Sequence, residues 1–185
     1  MEAISMNTSE LKQRAKELKA GERVLLSGEV FTARDAAHKR ICKMLENGEE
    51  LPVVLDGACV YYTGPTPAPE GAVIGSCGPT TSGRMDAFTP ILLDNGLSAM
   101  IGKGERNEAV CNSIIKNNAV YLCAIGGAGA LAAKSVVACE EIAFLDLGCE
   151  SIKRLVFKDF PLIVGIDASG GNLFSNSKNN KTGGI

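Results

Sequence analysis

Residues 78–86, GPTTSGRMD, place two hydroxyls and a guanidinium directly behind a glycine-proline turn. Gly78 and Gly83 permit backbone conformations that side-chained residues resist, and Pro79 stiffens the approach. Backbone N–H groups at the start of a following helix, the Thr80 and Thr81 hydroxyls and the forked donors of Arg84 would together surround a carboxylate or a phosphate. The same residues also suit an ordinary strand-to-helix turn with a capping threonine and a surface arginine. A second basic group lies in TARDAAHKR, where Arg34 and His38 are four apart and share one helix face. An arginine in the first helical turn opposes the helix dipole, a cost that a negative ligand nearby would offset. His38 is the only histidine of the chain, and it suits either a satisfied structural role or that of a proton carrier. In IGKGERN, Lys103 stands between two glycines where a strand gives way to a helix, the end of a strand at which ligands collect in α/β sheets. No GxxxxGK[ST] precedes it, so it is not a nucleotide P-loop, and a solvated lysine in a turn would read the same way. GGAGA at 126–130 holds only fragments of a dinucleotide fingerprint.

The elements that must position these groups follow from periodicity. The segment TSELKQRAKELKA predicts a short N-terminal helical arm, with Leu11, Ala15 and Leu18 at helical spacing and Gly21 as the stop. Residues 22–31 read as a strand interrupted at Gly28. Thr32 is a cap candidate for the helix that follows, in which Ala37, Ile41, Met44 and Leu45 form the apolar stripe and Gly48 the end. Strands are expected at 72–77, 97–102 and 119–126, with helices in RMDAFTPILLDNG and GERNEAVCNSIIKNN between them. Apolar stretches continue through VVACEEIAFLDL, IKRLVFKDF and PLIVGID. This alternation predicts an α/β domain of helices layered on a mixed or parallel sheet. The final SNSKNNKTGGI has too few apolar residues to supply a core face, and residues 175–185 are expected to form a flexible tail.

With 185 residues, 45% of them apolar and 22% charged, the chain is long enough for one domain and too short for two full ones. A net charge of −2 argues against a nucleic-acid or anionic-membrane partner held by a broad basic face. Seven cysteines form no CxxC pair and no Cys/His cluster, a spacing that argues against a structural zinc site. The odd count and the polar N-terminus predict free thiols in a reducing, cytoplasmic setting.

Taken together, LLSGEVFTARDAAHKRI, YYTGPTPAPEG, GSCGPTTSGRMD, IGKG and FPLIVGIDASGGNLF resemble the β subunit of the iron–sulfur hydro-lyases, the class I fumarase and L-tartrate dehydratase family. The resemblance keeps its order from about residue 7 to residue 174. It implies a single swivelling β/β/α domain over 21–174, with residues 1–20 as the arm. It also implies a separate α subunit that carries a four-iron, four-sulfur cluster, so that this chain binds no metal, is active only in a hetero-oligomer and takes a small dicarboxylate as substrate. Arg34, Thr80, Arg84 and Lys103 match family positions that contact the dicarboxylate, Thr81 beside them is also expected to bind it, and Thr80 is implicated in proton transfer. His38 falls within the same motif as a supporting residue. The implied activity is reversible hydration of fumarate, with L-tartrate dehydration or a noncatalytic small-anion-binding or assembly module as alternatives.

Overall fold

The computed structural model describes residues 2–125, 127 and 129–175. Strands β1 (Ile4–Asn7), β2 (Arg23–Thr32), β3 (Cys59–Tyr61), β4 (Ala99–Gly102) and β5 (Val120–Cys123) pair in parallel in that order. Parallel neighbours need crossovers, and α2 (Asp35–Asn47), α3 (Thr89–Asp94) and α4 (Glu108–Lys116) lie between successive strands from β2 to β5. The chain then adds α5 (Gly129–Lys134), β6 (Val136–Ala143) and the 15-residue β7 (Ile152–Ile166). β7 runs antiparallel to β5 on one side and to β2 on the other. That double pairing turns the expected open layers into a small closed barrel of β2, β3, β4, β5 and β7 in a mixed α/β domain, with β1 and β6 as extensions.

Period-2 alternation sorts the strand residues between two cores. Val24, Leu26, Tyr61, Ile101, Leu122, Phe157 and Val164 face one cluster. Val60, Met100, Tyr121 and Ile166 face the other, where they meet Ala37 and Ile41 of α2 and Val110 and Ile114 of α4. The N-terminal segment differs from the expected helical arm. Its first residues are β1, and short helical turns at Thr8–Glu10, Leu11–Arg14 (α1) and Ala15–Glu17 bury Leu11, Ala15 and Leu18 in the first cluster. Three buried apolar side chains at helical spacing are satisfied by packing on the barrel, so a long continuous helix is not required.

The interruption expected at Gly28 is a register shift in the β2–β7 ladder between Leu26 and Gly28, where Gly28 takes φ +108°. Gly48 closes α2 in the left-handed region. Thr32 is not the cap of α2. It ends β2, its hydroxyl donates to the Ser151 carbonyl at 3.2 Å and accepts from the Lys153 N–H at 2.9 Å, and the cap position belongs to Arg34. The strand expected at 72–77 is a loop. Gly75 lies against Thr66 and Pro67 so closely that a β-carbon would collide with them, and the Cys77 N–H goes to the Gly129 carbonyl rather than to a neighbouring strand. The helix expected from Arg84 onwards is split into a 3-10 turn, Ser82–Met85, and α3. Of the tail at 175–185, only Ser175 is among the described residues.

Candidate active site

Arg34 stands at the mouth of α2 with extended backbone, and no side chain of its own caps the helix. Its guanidinium Nη2 lies 3.4 Å from Glu150 Oε1, and Glu150 Oε2 accepts the Ala36 N–H at 2.9 Å. A carboxylate from another segment thus caps α2 and faces Arg34 at once, which offsets the unfavourable position of a cation at a helix N-terminus. The Arg34 carbonyl accepts from the His38 N–H at 2.9 Å and lies 2.9 Å from His38 Nδ1. His38 is fully buried against the rings of Tyr62 and Phe88, and its Nε2 has no partner. Burial lowers its pKa to about 4, against the pull of the Arg34 carbonyl, with Arg106 lowering it further. The ring is neutral at pH 7, holds the backbone of Arg34 and is screened from solvent.

The threonine loop is tied to the strand ends beside it. The Thr80 N–H donates to the Tyr62 carbonyl at 2.8 Å, and the Thr63 hydroxyl donates to the Gly78 carbonyl at 2.8 Å. Thr81 forms an isolated parallel bridge with Lys103, where the Ser82 N–H reaches the Lys103 carbonyl at 2.9 Å and the Lys103 N–H reaches Ser82 Oγ at 3.0 Å. A β-carbon on Gly102 would collide with Ser82 Oγ, so this close crossing requires glycine. Thr80 is half-buried, Thr81 is exposed, and the Thr81 side chain makes no cap bond to the turn that follows. Arg84 reaches back to the start of α2, with Nε 3.0 Å from Asp35 Oδ1 and Nη2 2.9 Å from Asp35 Oδ2. Arg34, Thr80, Thr81, Arg84 and Lys103 therefore sit on segments at the carboxyl ends of β2, β3 and β4, linked to one another by these contacts. The arrangement brings together cations and hydroxyls that are half-buried at Arg34, Thr80 and Lys103 and exposed at Thr81 and Arg84. A cleft of about 770 Å³ between Glu29, Asp56, Glu140 and Arg154 is lined by none of them.

Arg106 and Asp86 carry structural weight that no spacing signals. The Arg106 side chain is fully enclosed, with Nε 2.6 Å from Asp86 Oδ1, Nη2 2.7 Å from Thr89 Oγ1, and its guanidinium carbon about 5 Å from the Tyr62 and Tyr121 ring centres. Asp86 Oδ2 accepts the Asn107 N–H at 2.7 Å. The Asp of GRMD is thus the buried partner of the Arg in KGER. Of GGAGA, Gly126 and Ala128 lie outside the described residues, and Gly129 packs on Gly78 and takes the Cys77 N–H. Among the described residues there is no cluster of three or more His, Cys, Asp or Glu able to hold a metal ion, and no helix is long and apolar enough to cross a membrane.

A family model described as Fumarase C-terminus matches residues 1–177. The chain belongs to the fumarase C-terminal family. This family is that of the class I fumarate hydratase C-terminal domain and the L-tartrate dehydratase β subunit, and its members are hydro-lyases. This fumarase C-terminal domain is 37% identical over 167 residues to fumarate hydratase 2 of Leishmania major, which covers 89% of this chain and 29% of the relative. It is 34% identical over 177 residues to the aerobic class I fumarate hydratase of Salmonella typhimurium, covering 95% of this chain and 30% of the relative. The chain spans less than a third of the length of these two relatives. A putative L(+)-tartrate dehydratase subunit beta of Methanocaldococcus jannaschii is 38% identical over 169 residues, covering 88% of this chain and 87% of that protein.

Proposed function

We propose that the chain is the β subunit of a two-subunit iron–sulfur hydro-lyase, a fumarate hydratase that interconverts fumarate and L-malate, with a domain of the swivelling β/β/α class. The observation that carries this reading is the grouping of Arg34, Thr80, Arg84 and Lys103 on linked segments at one end of the parallel strands. Addition of water across a double bond flanked by two carboxylates needs cations for both charges and a group that moves the carbon-bound proton. Arg34, Arg84 and Lys103 bind the dianion and stabilise the charge that builds on one carboxylate as that proton leaves. Thr80 offers the hydroxyl.

Among the described residues no three cysteines or other metal-ligating side chains come together. Cys59 and Cys77 are buried, and burial raises both thiols, Cys77 to about 11, whereas ligation requires thiolates. On this reading the four-iron, four-sulfur cluster is carried by a partner α subunit, whose surface completes the site. The Methanocaldococcus relative, matched over most of its own length and named a β subunit, supports the two-subunit arrangement and favours a second reading, L-tartrate dehydration. The test is to assay the isolated chain, then the chain assembled anaerobically with its cluster-bearing partner, on fumarate and on (+)-tartrate. The expected result is a colourless, iron-free chain without activity that gains fumarate hydration on assembly. Preference for (+)-tartrate would support the second reading, and stoichiometric iron in the isolated chain would overturn the division of labour.

A further inference from the structure

Arg34 is held from three sides. Glu150 faces its Nη2, the His38 ring holds its carbonyl, and Gly64 lies flat against the side chain. A β-carbon at Gly64 would stand 2.8 Å from Arg34 Nη1, 3.0 Å from its Cδ and 3.2 Å from the carbonyl of Cys149, the residue before Glu150. Gly64 is not among the glycines with positive φ, so its backbone would accept a side chain. What excludes a side chain there is the guanidinium stem and the 145–150 turn, both packed against that one position of the glycine. Arg34 Nε is buried and makes no hydrogen bond, so its seat is fixed by surrounding shape and by Glu150 rather than by a full set of its own bonds.

We propose that Gly64 and Glu150 are positioning residues that form the seat of Arg34 and set the direction in which its guanidinium meets a substrate carboxylate. The inference rests on the reading of Arg34 as a carboxylate-binding group. Glu150 orients through charge and, by taking the Ala36 N–H with its other oxygen, ties that orientation to the first turn of α2. Gly64 acts through absence of volume. A methyl group there would drive the guanidinium off its line while leaving the charge of Arg34 in place.

The experiment uses the assembled enzyme with fumarate as substrate and succinate, an unreactive dicarboxylate, as competitive inhibitor. Arg34→Met, Gly64→Ala, Glu150→Gln and the double variant Arg34→Met/Gly64→Ala are compared, with thermal melting of each assembly as the folding control. The Gln variant can still accept the Ala36 N–H, so it removes charge and keeps the cap. Gly64→Ala should raise the KM for fumarate and the Ki for succinate together, by about tenfold, with kcat within about threefold, because it weakens binding common to ground and transition states. Glu150→Gln should move both constants the same way by about three- to fivefold, and it decides the matter if Gly64→Ala does not fold. In the Arg34→Met background the Gly64→Ala effect should vanish, since two residues acting through one guanidinium are not additive. Unchanged KM and Ki in Gly64→Ala and Glu150→Gln, beside a large rise in Arg34→Met, would overturn the seat and leave the carboxylate reading standing. An unchanged Arg34→Met enzyme would overturn that reading and the seat with it, and a Gly64→Ala effect that persists without Arg34 would overturn the seat alone.

Discussion

A threonine hydroxyl is a poor base in neutral water, and no described side chain hydrogen-bonds the Thr80 hydroxyl to activate it. What the fold provides is position: the Thr80 N–H is bound to the end of β3 through Tyr62, and the next residue, Thr81, bridges to Lys103, so the half-buried Thr80 is held between two strand ends. In the proposed assembly the activating neighbour comes from the partner α subunit. Thr81 differs in kind. It is exposed, and it occupies the cap position of the Ser82–Met85 turn without a side-chain cap bond, so the capping role expected of Thr81 is not what the turn shows. Thr80→Val should lower kcat of the assembled enzyme by about two to four orders of magnitude with little change in the urea midpoint. Thr81→Val should retain activity and change stability by less than about 0.5 kcal/mol. If Thr81→Val is the inactive one, the catalytic hydroxyl lies one residue along, and normal turnover in both variants removes threonine from the chemistry.

At the scale of elements, two loops that carry the proposed substrate-binding groups hang from one buried ion pair. Arg84 belongs to the segment that ends in Asp86, and Lys103 to the segment that ends in Arg106. The 2.6 Å contact between Asp86 and Arg106, with Thr89 and the rings of Tyr62 and Tyr121 around it, locks these segments to each other. Removing one member leaves the other buried and unpaired, so Arg106→Met should cost on the order of 3–5 kcal/mol in urea unfolding. Pairing it with Asp86→Asn should recover part of that loss, because the uncompensated carboxylate is gone while an acceptor for the Asn107 N–H remains. A loss under about 1 kcal/mol in Arg106→Met would show that the loops are held by something else. Local signals reveal much less of this than they do of α2. The stripe of Ala37 and Ile41 and the left-handed Gly48 are contiguous in sequence and sufficient for a helix. Asp86 and Arg106 meet only after α3 and β4 have been laid between them. The 72–77 segment fails as a strand for a similar reason, since its alternation looks right but its hydrogen bonds are taken by Thr66 and Gly129.

Closure of the barrel is the feature of the whole molecule least visible in the sequence. It depends on β7 pairing with β2, and a strand that passes through Pro161 and a left-handed Asp159 reads as two apolar stretches until its partner is known. Once closed, the barrel places His38 in the second core, against Tyr62 and Phe88, with Arg34, Asp35 and Arg106 as the polar groups that bear on its titration. That makes global stability depend on pH. The folded state holds His38 near 4, below the 6.5 of an unfolded chain, so between these values the unfolded state binds more protons. The stabilisation is complete above about pH 6.5, declines as the pH falls toward 4, and amounts to a loss on the order of 3 kcal/mol at the lower end. The carboxylates act in a lower range. Burial would raise Asp167, but the N–H of Ala20, the Ser169 hydroxyl and the N–H of Gly171 outweigh it, so its contribution is lost only below its ordinary 3.8. Urea midpoints of the isolated chain should therefore fall steadily from about pH 7 to about pH 4.5, and His38→Leu should be less stable at neutral pH yet flatter across that window. The Arg34 carbonyl keeps the backbone N–H of residue 38 in that variant, so the comparison isolates the ring. Equal slopes for the two proteins would mean that His38 takes up its proton as readily folded as unfolded, and that the second core is open to water at the start of α2.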